Sequence, residues 1–495
     1  AEGMSDTTMM QVINPRTGSV CATVSACSAA KTLAAIQDAR VAQAAWAARP
    51  VAERAKILMR IHDAVLQHRD ELLDIIQLET GKNRASALDE VMDVAINARY
   101  YARHAARLLR PRRVRGALPV MTRTTVVREP RGVVGIIAPW NYPLTLTLSD
   151  ALPALVAGNT VVVKPDAQTP LSALLGEQIL RESGVPSNVF QVLPGTGAVV
   201  GTAIAENADY VMFTGSTVTG QQLAERTGRR LVGFSGELGG KNPMIVTQDA
   251  NIRSAVTGAI TGCFSNSGQL CVSIERILVD KAIAPQFTNR LVNRVEKLNI
   301  GTGGWAEDMG SLISPAHVTH VCQLVDDAVN RGATLLTGGP RPDLGPSFLA
   351  PILLTDVPPE AALYREEVFG PVVYIETVNN ETEAIAKAND SNYGLAASIF
   401  AKPVTARRIA RQLHAGSVNI NEGFAAAFGS VAAPMGGMKH SGMGRRHGVT
   451  GLLKYTEPKT IAEQRIMPIA GPCLLPRRLY AATMTKMLRL GKYFL

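Results

Sequence analysis

Five short apolar runs restrict this chain to a narrow set of folds. RGVVGIIAP (131–139), NTVVVKP (159–165), NVFQVLPG (188–195), DYVMFTG (209–215) and RLVGFSG (230–236) are each punctuated by Gly or Pro. They alternate with segments of helical periodicity such as TPLSALLGEQILRESG (169–184). Continuous apolar runs of this length are what parallel strands covered on both faces require. The alternation predicts a doubly wound α/β domain with its ligand at the carboxyl ends of the strands. Upstream, residues 31–109 read as helices, with apolar positions every three to four residues in VAERAKILMRIHDAVLQHRDELLDIIQLETGK (51–82) and a stop at Gly81.

At 495 residues the chain exceeds the ~250–300 at which single cores stop growing, so two or more domains are expected. A hydrophobic share of 46% against 19% charged residues describes a globular protein without bulk disorder. The six cysteines, Cys21, Cys27, Cys263, Cys271, Cys322 and Cys473, form no CxxC pair and no metal-ligand spacing. A reducing cytoplasm fits, and no metal is expected. The start AEGMSDTTMM carries no secretory pattern, and no window approaches the ~18 apolar residues of a membrane span. Much of the net charge of +10 lies in an arginine-rich stretch from Arg103 to Arg131. Without interleaved aromatics or a nucleic-acid module, it reads as a solvated face or subunit contact.

Chemistry-bearing residues gather at the strand ends. In FSNSGQLCVS (264–273), Cys271 follows small, polar, turn-forming residues, a setting for a nucleophile in a pocket. The competing account is an inert buried thiol. Glu237, between Gly236 and Leu238-Gly239-Gly240, has the freedom to swing and activate water. Asn141, between Trp140 and Tyr142-Pro143, is an amide able to hold an oxyanion together with the Cys271 backbone N–H. FTGSTVTG (213–220) is a strand end opening a helix whose amides suit a phosphate.

PWNYP, VVVKPD, FTGS, FSGELGGKNP, NSGQLC, EEVFGP and NDSNYGL occur in this order, and from about residue 10 to about 460 the chain resembles the aldehyde dehydrogenase superfamily. The resemblance implies a Rossmann-like cofactor domain (1–238), an α/β catalytic domain (239–430), and a β-ribbon oligomerisation element. Residues 116–131 and the return segment 431–472 would supply the ribbon, giving a homodimer or homotetramer. It implies NAD(P)-dependent oxidation of an aldehyde to an acid through a thiohemiacetal and a thioester. Cys271 would be the nucleophile, Glu237 the base, and Asn141 an oxyanion donor. Cofactor contacts would fall on Trp140, Lys164, Gly215, Ser216, Leu238, Glu367 and Phe369.

Pro165, Asp166 and Ala167 complete the cofactor segment. NAD-preferring members commonly carry KPSE, whereas KPDA here (164–167) lacks that glutamate, a modest lean to NADP with NAD tolerated. The nearest likeness is to bacterial succinate-semialdehyde dehydrogenases of the second type, through KPDAQTP, GFSGELGGKNPMIV, GQLCVSIERI and VAAPMGGMKHSGMGRRHG. Arginines expected for the distal carboxylate are Ser149 and Ser265 in this chain. A carboxylate desolvated without a cation costs several kcal/mol, so neutral aliphatic (medium- or long-chain) or aromatic aldehydes are expected. Succinate semialdehyde is the alternative. A non-redox acyl-transfer enzyme is disfavoured by Glu237, and a catalytically silent protein by the intact triplet. His320, His414, His440 and His447 show no ligand spacing.

The tail (473–495) places Tyr480, Met484, Met487 and Leu488 on one helical face and has no acid. A helix docked on the body is the first reading. A peripheral membrane contact and a cap over the substrate entrance are the others.

Overall fold

The computed structural model describes residues 8–116, 121–301, 303–466, 468–471 and 475–492. Cys473, residues 1–7, 117–120 of the ribbon segment and the end of the tail at 493–495 lie outside the described residues. The five apolar runs are the strands Val133–Ile137, Thr160–Lys164, Phe190–Val192, Tyr210–Thr214 and Gly233–Glu237. They pair in parallel, and a sixth strand, Gly442–Met443, closes the edge antiparallel to Gly233–Glu237. Alternate residues enter opposite cores, as in a sheet covered on both sides. Val134, Ile136, Val161 and Val163 pack with the N-terminal helices, while Val133, Ile137 and Val162 pack with Ile36 and Ile204.

The first strand, Val133–Ile137, sits between Thr160–Lys164 and Tyr210–Thr214. Chain order therefore reverses between it and Tyr210–Thr214, which opens the crevice where ligands bind such sheets. The helical region is four helices, Ala29–Ala48, Val51–Gln67, Arg69–Thr80 and Arg84–Leu109. The periodic run 51–82 forms two of them, which meet at His68, whose ψ of 12° turns the chain while its ring bonds Glu71. Gly81 ends the third helix at φ +74, the left-handed cap that glycine favours.

A second sheet of seven strands carries Asn242–Val246 and Ile274–Asp280 at its centre. It is parallel apart from the outer hairpin of Thr334–Pro340 with Leu349–Thr355. A three-stranded ribbon joins Thr456–Gln464, Thr122–Pro130 and Arg112–Val114. The C-terminal helix Arg477–Gly491 buries no residue. The docked helix expected from the sequence is not what the chain forms. The phenolic hydroxyl of Tyr480 meets the Ile469 carbonyl, Met484 is half-buried, and Met487 and Leu488 stay exposed.

Candidate active site

Cys271 is delivered by a strained loop between the helix Ile252–Phe264 and the strand Ile274–Asp280. Asn266, Ser267 and Gly268 are consecutively left-handed, at φ +50, +56 and +71. The two non-glycine residues hold this conformation at roughly 1–3 kcal/mol each, so neighbours must fix it. Asn266 N–H donates to Ser86 Oγ at 3.2 Å, its amide donates to the Asn141 and Gln269 carbonyls, both at 3.1 Å, and Ser267 Oγ donates to the Gly310 carbonyl. A side chain at Gly268 would collide with the Gly370 carbonyl. Asn242 Nδ2 then grips the Cys271 carbonyl at 2.7 Å. The Cys271 backbone N–H has no protein partner among the described residues.

Asn141 faces this loop. One hydrogen of its amide goes to the Gln269 carbonyl at 3.0 Å, leaving the other for a ligand. Its carbonyl accepts from the buried Lys82 Nζ at 2.6 Å. Lys82 is in turn paired with buried Glu90 at 2.7 Å, whose other oxygen accepts the Leu144 and Thr145 amides. The asparagine is therefore anchored at both ends. Its remaining amide hydrogen and the Cys271 backbone N–H are two donors of the kind a developing oxyanion needs.

Glu237 ends its strand opposite Gly442 and is buried. Burial pushes its carboxyl up to about 7, against the pull of Arg446 and Lys454 and with a push from Asp150. Burial also pushes the Cys271 thiol up to about 12; Arg446 pulls it down, and Glu237 and Glu367 push it further. A base poised near 7 beside a partly exposed thiol suits water activation after covalent attack.

A cavity of about 250 Å³ joins these groups to the strand ends. Cys271, Glu237 and Asn141 line it together with Trp140, Gly215 and Ser216. Leu238, Glu367 and Phe369 line it as well. Lys164, Pro165, Asp166 and Ala167 do not; Lys164 ends the neighbouring strand and the other three follow it, and Lys164 Nζ donates to the Pro165 carbonyl at 2.9 Å. The donors and rings around the cavity suit a dinucleotide. Ser216 caps the 13-residue helix Thr217–Arg229, aiming its first amides at the crevice. Glu367 is held by the Gly240 amide at 2.8 Å. Buried Glu275 pairs with Lys241 at 2.7 Å and accepts the Val368 and Phe369 amides. Trp140 and Phe369 meet edge to face at 5.4 Å, and His317 bonds the Phe369 carbonyl at 2.7 Å.

A second cavity of about 180 Å³ is lined by Leu270 and Tyr142, the residues next in sequence to Cys271 and Asn141. Cys271, Phe424 and Phe428 pack on the apolar cluster those two residues belong to. Its charged lining residues are both acids, Asp89 and Asp93. Asp93 accepts from Ser149 Oγ at 2.6 Å and Asn97 Nδ2 at 3.0 Å. Ser265 bonds back to the Thr261 carbonyl. Neither serine is replaced by a cation within the lining. Lys82, Glu90, Asp89, Asp93, Asp150, Arg446 and His317 were not marked as site residues by the sequence. Only Glu90 and Asp93 carried a weak signal: with Ser86 and Asn97 they recur at helical spacing and are buried, a polar stripe where a core face would be apolar.

Residues 2–461 match the model of the aldehyde dehydrogenase family. A protein of Mycolicibacterium smegmatis, provisionally named succinate-semialdehyde dehydrogenase (NADP+), is 53% identical over 96% of this chain and 92% of its own length. Among solved structures, an Escherichia coli NADP-dependent enzyme superposes with a TM-score of 0.89 at 35% identity, covering 92% of this chain and 95% of that one. Betaine aldehyde dehydrogenase from Staphylococcus aureus in complex with NAD+ superposes at 0.88 and 35% identity, covering 92% and 91%.

Proposed function

This chain belongs to the aldehyde dehydrogenase family, and from that premise we propose that it oxidises aldehydes lacking a distal negative charge through Cys271, Glu237 and Asn141. The Cys271 thiolate attacks the carbonyl carbon. A C–S bond forms and the carbonyl electrons move to an oxygen held by the Asn141 amide and the Cys271 backbone N–H. The residues lining the larger cavity would hold a nicotinamide dinucleotide, which would accept the hydride lost as the thiohemiacetal becomes a thioester. Glu237 takes a proton from water, the water attacks the thioester, and the carboxylic acid leaves as the thiol is regenerated.

Trp140, Gly215, Ser216, Leu238, Glu367 and Phe369 would hold the dinucleotide, with Lys164 near its ribose. NADP is the favoured form. Ala167 carries no charge to repel a 2′-phosphate, and the Asp166 carboxylate is turned to its own loop, accepting the Gln168 amide at 2.9 Å. The NADP+ in the M. smegmatis relative's name agrees.

The observation that carries the substrate reading is the pair Asp89 and Asp93 in a cavity otherwise lined by apolar, aromatic and small residues. Burial pushes Asp89 up to about 6, with Lys82 pulling it down and Glu90 pushing it up. Burial also pushes Asp93 up to about 7, opposed by Ser149 and Arg446 and reinforced by Asp150 and Glu90. Above pH 7 both are mainly ionised, and each repels a substrate carboxylate by about 2–4 kcal/mol at separations of about 4–8 Å. Succinate semialdehyde is the second reading, favoured by the names of the relatives. The test is a panel of aldehydes with each nicotinamide at pH 6 and pH 8. Hexanal should exceed succinate semialdehyde in kcat/KM by at least about tenfold at pH 8, with the ratio narrowing at pH 6 as the two acids take up protons. A preference for the semialdehyde at pH 8 reverses the assignment.

The ribbon supports a homo-oligomer. Its outer strand Thr456–Gln464 is exposed from Glu457 onwards, an edge ready to extend a sheet into a second copy. The C-terminal helix supports a peripheral membrane contact. Leu479, Met487, Leu488 and Leu490 are each about half exposed, while Arg478, Lys486, Arg489 and Lys492 occupy the other arc. With Arg477, the tail holds five cations and no acid, half the net +10 of the chain. The remainder is itself net basic, so an anionic lipid surface complements this helix better than another copy does. Sedimentation with phosphatidylglycerol vesicles should retain the protein, whereas phosphatidylcholine vesicles or removal of residues 475–495 should release it. Equal sedimentation with and without the tail refutes the contact.

A further inference from the structure

Arg446 is buried against the reacting groups, and nothing in the catalytic scheme above uses it. It stands three residues after the strand Gly442–Met443, whose pairing with Gly236 and Glu237 fixes its register beside the base. Reciprocal backbone bonds with Met435, at 2.7 and 2.8 Å, clamp it from the other side. Its Nη2 donates to Asp150 Oδ2 at 2.7 Å and to Thr214 Oγ1 at 3.1 Å, and Thr214 lines the cavity shared by Cys271 and Glu237. Its Nε is buried with no hydrogen-bond partner among the described residues, so part of the guanidinium is left unquenched by Asp150.

An ion pair at this depth adds little net stability, since desolvation offsets most of its attraction. A charge placed here acts on its neighbours instead. We infer that Arg446 is a positioning residue that makes the Cys271 thiolate and the Glu237 carboxylate available, and that Asp150 sets how much of its charge reaches them.

The charged surroundings agree. Cys271 is acted on by Arg446, Glu237 and Glu367. Glu237 is acted on by Arg446, Lys454, Asp150 and Arg445. Lys454, drawn down to about 8 by burial, lies 3.4 Å from Ser235 Oγ and lends less charge as pH rises. Arg446 is held the other way: burial pulls its guanidinium down, but Asp150, Glu237 and Cys271 more than offset that. It stays a cation throughout the working range. Without it, a carboxylate base and a thiolate would face each other beside Glu367 in a poorly solvated cavity, and each would hold its proton to higher pH.

The inference rests on Cys271 being the nucleophile. The closing experiment therefore reads the thiol directly, without aldehyde. The rate of alkylation of Cys271 by iodoacetamide is followed against pH by peptide mass spectrometry. Arg446→Met should displace the profile towards higher pH, and labelling at pH 8 should slow by about tenfold for each pH unit the profile moves. Arg446→Lys should recover part of it. Asp150→Asn should move the acidic limb of the steady-state rate profile, set by Glu237, to lower pH, while Arg446→Met moves it to higher pH. A lost packing contact would not give opposite displacements. An unchanged labelling profile in Arg446→Met, or both variants displaced in one direction, overturns the inference. If Arg446→Met fails to fold, the Lys and Asn variants still decide it: a wild-type limb in Asp150→Asn overturns it. Failure of the nucleophile assignment itself would show separately, as oxidation surviving in Cys271→Ala.

Discussion

Cys271→Ala should lose aldehyde oxidation by about 10⁴-fold or more in kcat, while still binding NADP+. The size of the loss follows from what the loop does. Three left-handed residues, two amide clamps and the contact of Gly268 with Gly370 all serve to present one side chain at the cavity. Among the described residues, Cys271 is the one cysteine that lines the cavity. Cys263 is sealed among Phe264, Ile274 and Phe400 in the core of the seven-stranded sheet, and burial drives its thiol far above the usual range. Cofactor affinity, read by quenching of protein fluorescence, should change little, because the groups around the strand ends are held by their own bonds. Oxidation within tenfold of wild type would falsify the covalent route.

The fold and the chemistry were not equally legible in the sequence. Val133–Ile137 and Thr160–Lys164 appear as strands because Val and Ile on both faces leave no alternative period, and the Gly and Pro that punctuate all five runs marked the strand ends and the crevice. Cys271, Asn141 and Glu237 were legible because each interrupts that pattern with a reactive group at a strand end or loop. What stayed hidden were charges whose meaning depends on a partner far along the chain. Glu90 reads as one more helix acid until Lys82 and the Leu144 amide meet it. Asp150 and Arg446 are 296 residues apart and pair in the interior, a contact no local period encodes. Asp93 was hidden for the same reason, and with Asp89 it supplies the cavity's negative lining that the two serines only hinted at. In the tail, the helical period was readable, but whether its apolar face would find the body was not; the helix remains uncovered.

Glu237→Gln separates the two halves of the reaction. The variant keeps the shape of the side chain, which closely approaches Gly436, and removes only its basicity. The first half needs the thiolate and the oxyanion donors, all intact, so mixing enzyme, aldehyde and NADP+ should release a burst of about one reduced nicotinamide per subunit. The second half needs a proton taken from water, so the steady rate after the burst should fall by about 10²–10⁴-fold, with a thioester on Cys271 visible as a mass increment. The pH profile carries the sign. The carboxyl sits at about 7 and acts only when deprotonated, so wild-type steady turnover should decline about tenfold per pH unit below 7 and level off above it. Glutamine has no proton to lose there, and its residual rate should not show that limb. A slow steady rate with no preceding burst would place Glu237 in the first half of the reaction. A limb near pH 7 that survives the substitution would assign the titration to another group, with Asp93, also at about 7, as the next to replace.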